Sequence, residues 1–265
     1  MWQRHWSLTR DPFDGRRPCF AATPTHEEAL ARLVHTIEAA GRSARLIAGA
    51  GLGKSTVLGR AIEATRSPTR RFARAIGPAD GPSLFATLAV GLGARVAPDA
   101  SRGVAWRALV DAARLCRWQG IHVVVAVDDS QALGSPADRL DLERLDHLDP
   151  DPAARLTVLR VGRPAPLDES GSEPDDWGLA IRLAPLTRSE ASGYLAAKLE
   201  AAGRPDPTFT PKAVTRLHAL AGGVPRGLDR LAGLALMAGA VRGLEIVSPE
   251  VVEAAARECL AAGPA

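Results

Sequence analysis

Residues 44–56 read Ala-Arg-Leu-Ile-Ala-Gly-Ala-Gly-Leu-Gly-Lys-Ser-Thr. The run 44–48 has the length and apolar character of a buried strand, the glycines make a turn, and a helical pattern runs from Ser55 to about Thr65. That order gathers backbone N–H groups at a helix N-terminus, where an anion is bound most readily. Residues 48–55 match the phosphate-loop pattern G-x-x-x-x-G-K-[ST] at every position but the first, which is Ala48. In such a loop Gly49, Ala50, Gly51, Leu52 and Gly53 present amides to phosphates. Lys54 reaches the terminal phosphates, the Ser55 hydroxyl holds Mg²⁺, and Thr56 continues the first turn. ATP and Mg²⁺ are the ligands this stretch leads one to expect.

A second element ends in two acids, the first of them 74 residues after Lys54. His122-Val123-Val124-Val125-Ala126-Val127-Asp128-Asp129 is an apolar run ending in two acids. Like charges beside a buried run cost energy unless a cation or hydrogen-bond donors compensate them. Asp128 is the expected water-mediated Mg²⁺ ligand, and Asp129 the group that orients or deprotonates the attacking water.

Further runs at 155–161 and 179–184 alternate with helical patterns near 82–94, 103–118 and 137–148, and a helix beginning with the S/T-x-x-E spacing of Thr25 and Glu28 precedes the first strand. Buried strands separated by helices predict a parallel sheet flanked by helices, an α/β nucleotide-binding domain over 1–186. Beyond Leu186 only helices are predicted, near 187–202, 210–221, 225–241 and 248–261, with Thr187, Thr210 and Ser248 as caps. These form a small helical lid domain over 187–265. Residues 163–178, rich in Pro, Gly and acid, read as a mobile loop.

The composition is that of a soluble globular protein: 265 residues, 46% hydrophobic, 24% charged, net charge +3. Only Lys54, Lys198 and Lys212 are lysines. Three widely spaced cysteines make neither a disulfide framework nor a metal site, and no apolar stretch approaches a membrane span. A cytoplasmic location is expected. Acids Asp138, Asp141, Glu143, Asp146, Asp149 and Asp151 read as a solvated helix face that would repel DNA. Trp6, Trp106 and Trp118 read as core, and His26 is assigned no role.

The motifs converge on a resemblance to the ExeA-like ATPases of the general secretion pathway, within the AAA+ class. It runs through Trp6-Ser7-Leu8…Pro12-Phe13, His26-Glu27-Glu28-Ala29-Leu30, the phosphate loop, Val127-Asp128-Asp129-Ser130-Gln131-Ala132-Leu133, Val161-Gly162-Arg163-Pro164, Leu183-Ala184-Pro185-Leu186 and Gly222-Gly223-Val224-Pro225-Arg226. The resemblance implies that Arg226 is a sensor arginine reaching the γ-phosphate from the lid. It places the opening residues up to Phe13 near the adenine. For Gln131 two readings stand, a contact to nucleotide-linked waters or a neighbouring subunit, and a polar surface residue. It also implies a homo-oligomer acting on a protein partner of unknown identity.

The sequence departs from the family at three points. Asp129 stands where the family has glutamate, Arg163 where it has glutamine, and Asp176 where it has a candidate arginine finger, a role left to Arg182 or Arg163. Three functions are therefore carried forward. The first is an ATP-driven switch of protein assembly. The second is a DNA-associated regulator resembling the MuB and TnsC transposition ATPases, for which Arg66, Arg70, Arg71 and Arg74 form the one tight basic cluster. The third is a degenerate ATP-binding scaffold with little hydrolysis.

Overall fold

The computed structural model describes residues 2–15, 20–77, 83–133, 136–148, 155–164 and 178–261. The backbone falls into two compact units. One comprises residues 28–50 and 57–183, the other residues 1–27, 51–56 and 184–265.

The first unit is built on five parallel strands, β1 (Ser43–Ile47), β2 (Arg70–Ile76), β3 (His122–Asp128), β4 (Leu156–Gly162) and β5 (Leu179–Arg182), in the order β2-β3-β4-β1-β5. All seven residues of β3 are buried, as its apolar run requires of a strand covered on both faces. Because every pair is parallel, Ile76, Asp128, Gly162, Ile47 and Arg182 reach one edge of the sheet together. Helices α4 (Leu84–Gly91) and α5 (Arg102–Trp118) are capped by Ser83 and Ser101 and bury Phe85, Leu88 and Leu109 in the same core as Val123, Val125 and Val127.

Strand β2 was not foreseen. Its sequence Arg-Arg-Phe-Ala-Arg-Ala-Ile turns only Ala73 and Ala75 fully inward, so the apolar alternation is hidden by arginines. Arginines suit its position, since charge on an edge strand discourages pairing with other chains.

The row of acids is not a uniformly solvated face. On α6 (Pro136–Asp146) Asp141 is buried and pairs with Arg102 at 2.7 Å, while Asp146 pairs with Arg160, which also donates to the Leu142 carbonyl. Burial pushes the Asp146 carboxyl up to about 6 and the Arg160 guanidinium down to about 10, their mutual attraction opposing both. Asp149 and Asp151 lie outside the described residues. Trp106 packs on Phe85 with ring centroids 4.8 Å apart, but Trp118, at the end of α5, is 85% exposed and belongs to no core.

His122, fully buried at the start of β3, carries a pH signature. Thr157 Oγ1 donates to the Gly41 carbonyl at 2.7 Å, so it must accept from His122 Nε2 at 2.9 Å. Nε2 then carries a hydrogen, and buried Nδ1 has no hydrogen-bond partner among the described residues to receive a second one. Burial first, then Arg155 and Arg70, lower its pKa from 6.5 to about 4. Between these values the unfolded chain binds a proton that the folded chain refuses, so stability is complete above pH 6.5 and falls as pH drops towards 4. The slope from this group is at most about 1.4 kcal/mol per pH unit. Urea midpoints at pH 7 and 5 are expected to show the loss, with a shallower dependence in His122→Gln.

The second unit is a helical bundle of α7 (Arg188–Ala201), α8 (Pro211–Ala221), α9 (Pro225–Val241) and α10 (Pro249–Ala261), joined by the short α1 (Trp2–His5). Thr187 and Glu190 form a capping box on α7, and Thr210 caps α8. The Ser248 hydroxyl instead donates to Glu250. Trp6, Leu8 and Phe13 bury against Leu199, Leu228 and Leu236, and the Trp6 indole N–H donates to the Leu236 carbonyl at 2.8 Å. Lys198 is buried here too, donating to Asp229 at 2.7 Å beneath the Phe13 and Tyr194 rings.

Helix α2 (Pro24–Glu38) corrects the expected Thr25–Glu28 capping box. The cap lies two residues earlier: Thr23 Oγ1 accepts from the His26 N–H at 3.4 Å and its carbonyl from the Glu27 N–H, with Pro24 placed where a helix tolerates proline. Thr25, through its amide at 3.1 Å and hydroxyl at 2.6 Å, donates to Glu190, while Glu28 pairs with Arg32. These bonds help hold the Glu190 carboxyl low, at about 2, against a desolvation that alone would raise it.

Candidate functional site

The loop between β1 and α3 (Lys54–Ala64) has the backbone its glycines allow. Gly51 and Gly53 adopt φ of +76° and +87°, where a side chain is strained. Space forbids a side chain as well. A Cβ on Gly51 would lie 2.9 Å from Arg226 Cβ, and one on Gly53 2.8 Å from His26 Nε2. Lys54 is buried at the start of α3, whereas Ser55, Gly49 and Ala50 are exposed and Leu52 is buried. Thr56 donates its N–H to the Gly53 carbonyl at 3.1 Å.

Arg226 meets the loop through its backbone. Gly222 and Gly223 both take positive φ, Val224 and Pro225 begin α9, and the Arg226 N–H, one of the unpaired donors of that helix start, is accepted by the Gly51 carbonyl at 3.2 Å. A Cβ on Gly223 would lie 2.3 Å from the Leu186 carbonyl. The glycine pair thus sets the turn that delivers α9 to the loop. His26, to which sequence reasoning gave no role, is buried against this loop, its Nε2 3.0 Å from the Leu52 carbonyl and its Nδ1 2.8 Å from the Thr23 hydroxyl. The only signal available was its place in the His-x-Glu-Ala-Leu resemblance.

The acid that closes β3 is compensated, as the cost of its burial requires, and Asp129 beside it is only half-buried. Asp128 is 1% exposed; its Oδ2 accepts from Arg74 of β2 at 2.5 Å and its Oδ1 from the Asp129 N–H at 2.9 Å. Part of the basic cluster is therefore a counter-charge. Asp129 lies in the left-handed region at φ 49°, ψ 40°. A short polar side chain enters that region more readily than a longer one, which gives a physical reason for aspartate where the family has glutamate.

Gln131, in the 3-10 turn Ser130–Ala132, joins two strand ends. Its Oε1 accepts from the Arg163 N–H at 2.9 Å and its Nε2 donates to Asp129 at 3.2 Å. The bridge needs Gly162, where a Cβ would stand 2.9 Å from Gln131 Oε1. Arg163 is exposed at the end of β4 and Arg182 at the end of β5. Asp176 and residues 165–177 of the expected mobile loop lie outside the described residues.

The residues suit the expected ligands. Two glycines without room for Cβ leave a bare backbone cradle, and a buried carboxylate and a hydroxyl are hard oxygen donors of the kind Mg²⁺ takes. Among the described residues no group of three or more His, Cys, Asp or Glu could hold a metal. A Mg²⁺ held by one or two protein oxygens and substrate phosphates needs no such group.

A parallel sheet flanked by helices, with a phosphate loop after β1, acids after β3 and a C-terminal helical region, is the fold of the AAA+ P-loop ATPases. The chain is similar to the Aeropyrum pernix ORC1 protein, solved in complex with DNA, at TM-score 0.71 and 20% identity, over 96% of this chain and 69% of that one. It is likewise similar to the A. pernix ORC2 protein, solved in ADPNP-ADP complexes, at TM-score 0.70 and 17% identity, over 97% and 73%. The chain is also similar to General secretion pathway protein A of Aeromonas hydrophila, at 29% identity over 252 residues, covering 92% of this chain. It spans 46%, about half, of the length of that relative. No protein-family model matches the chain. Among the described residues no helix is long and apolar enough to cross a membrane.

Proposed function

We propose that this chain binds and hydrolyses Mg-ATP and uses the nucleotide state to switch contacts between its own copies and a protein partner, with residues 1–186 as nucleotide-binding domain and 187–265 as lid. The observation that supports this best is the tie between the phosphate loop and α9, which gives the nucleotide-binding backbone a direct handle on the helices. A change at the loop then shifts a helix, and population shift follows if ATP and ADP hold that tie differently.

In this reading the amides of residues 49–54 and the Lys54 ammonium bind the phosphates, and Arg226 senses the terminal one. Ser55 and Asp128 would hold Mg²⁺, which when bound would neutralise phosphate charge. Asp129, steadied by Gln131, takes the proton of the attacking water. A DNA-associated role of the MuB/TnsC type finds less support, because Arg74 of the basic cluster is matched by Asp128.

Steady-state hydrolysis, measured per subunit with Mg²⁺ over a range of protein concentrations, tests the proposal. A rate rising with concentration is expected, since an arginine finger supplied by a neighbour acts only in the assembly. A flat rate near zero with ATP bound would replace the switch by the non-hydrolysing scaffold.

A further inference from the structure

Two successive carbonyls of the phosphate loop are held from outside it, Gly51 by the Arg226 N–H and Leu52 by the ring of His26. A carbonyl only accepts, so His26 Nε2 carries the hydrogen. Nδ1 is then the acceptor for the Thr23 hydroxyl, and the hydrogen bonds of the ring fix its tautomer and orientation. In a trans peptide C=O and N–H point in opposite directions. Holding the Leu52 oxygen therefore aims the Gly53 N–H away from His26, just as holding the Gly51 oxygen aims the Leu52 N–H. The imidazole occupies the space a Cβ on Gly53 would fill, so glycine and histidine are fitted to each other.

We propose that His26 is a positioning residue of the nucleotide site, setting the Leu52–Gly53 peptide plane so that the Gly53 N–H meets a phosphate of ATP. The inference rests on the nucleotide-binding reading. His26 acts through the Leu52 carbonyl of the loop. Its loss leaves the charge of Lys54 in place and frees the peptide to turn, so affinity falls through lost preorganisation.

The test is titration of wild type, His26→Ala, His26→Gln, Thr23→Val and Lys54→Ala with a fluorescent ATP analogue, with thermal melts of each nucleotide-free protein. His26→Ala is expected to weaken binding roughly tenfold or more, as misplacement of a binding group does. His26→Gln, whose amide can still donate to Leu52, should recover to within about threefold, and Thr23→Val should fall between. A purely structural histidine would move the melting temperature and not be rescued in affinity by glutamine. If wild type binds, Lys54→Ala does not, and His26→Ala binds like wild type, this proposal is overturned while the nucleotide reading stands. Equal weakening in His26→Ala and His26→Gln overturns it too. Should His26→Ala not fold, wild-type affinity in Thr23→Val together with weak binding in a folded His26→Gln overturns it, and the reverse pattern supports it. No binding by wild type removes the nucleotide reading itself.

Discussion

Replacing Lys54 with alanine is expected to weaken ATP binding by about a hundredfold or more while leaving the fold intact. Removing one partner of a desolvated charge pair costs about 2 to 5 kcal/mol, and about 2.7 kcal/mol is already a factor of a hundred. Lys54 is 7% exposed, so its charge is largely desolvated and water is a poor substitute for a bound phosphate. No other lysine can take its place: Lys198 is bonded to Asp229 in the helical bundle, and Lys212 begins the second turn-capped helix of that bundle. Titration with a fluorescent ATP analogue, alongside a thermal melt, checks it. Affinity within threefold of wild type would remove the common basis of every functional role assigned above.

Trp6→Ala is expected to cause the largest loss of stability, about 3 to 5 kcal/mol, the usual range for deleting a buried large aromatic side chain. The indole is 1% exposed, its N–H is bonded to the Leu236 carbonyl, and its ring meets Gly239 so closely that a Cβ there would lie 2.9 Å from it. Deletion leaves a cavity against α9 and removes the indole bond to the Leu236 carbonyl. The converse change, Gly239→Val, overfills the same place. Urea unfolding checks both, and a Trp6→Ala protein with an unchanged midpoint would show that the opening segment does not hold the bundle.

Much of this arrangement is written locally. Strand β3 is legible because an unbroken apolar run of its length, closed by acids, has few other uses, and α7 and α8 because Thr187 and Thr210 cap through neighbours a turn away. What escapes reading depends on partners far along the chain. Asp141 and Asp146 look solvated until Arg102 and Arg160 arrive, and β2 looks like a loop of arginines until β3 pairs with it. Thr25 has the spacing of a cap but gives its hydrogen bonds to Glu190, 165 residues on, which leaves the capping to Thr23. His26 looks idle for the same reason: its value lies in the carbonyl of Leu52, and nothing within one helical turn announces that.

The bond from Trp6 to Leu236 has a bearing on how the protein is made. Trp6 is synthesised 230 positions ahead of its partner and must wait for it. At synthesis rates of about 5 to 20 residues per second, that interval is roughly 10 to 50 seconds. For most of it Trp6, Leu8 and Phe13 lack the helices that bury them, and strands β1 to β5 are all complete before it ends. The sheet can therefore form before the helical bundle does, and residues 6–13 are the place where a chaperone has something apolar to hold.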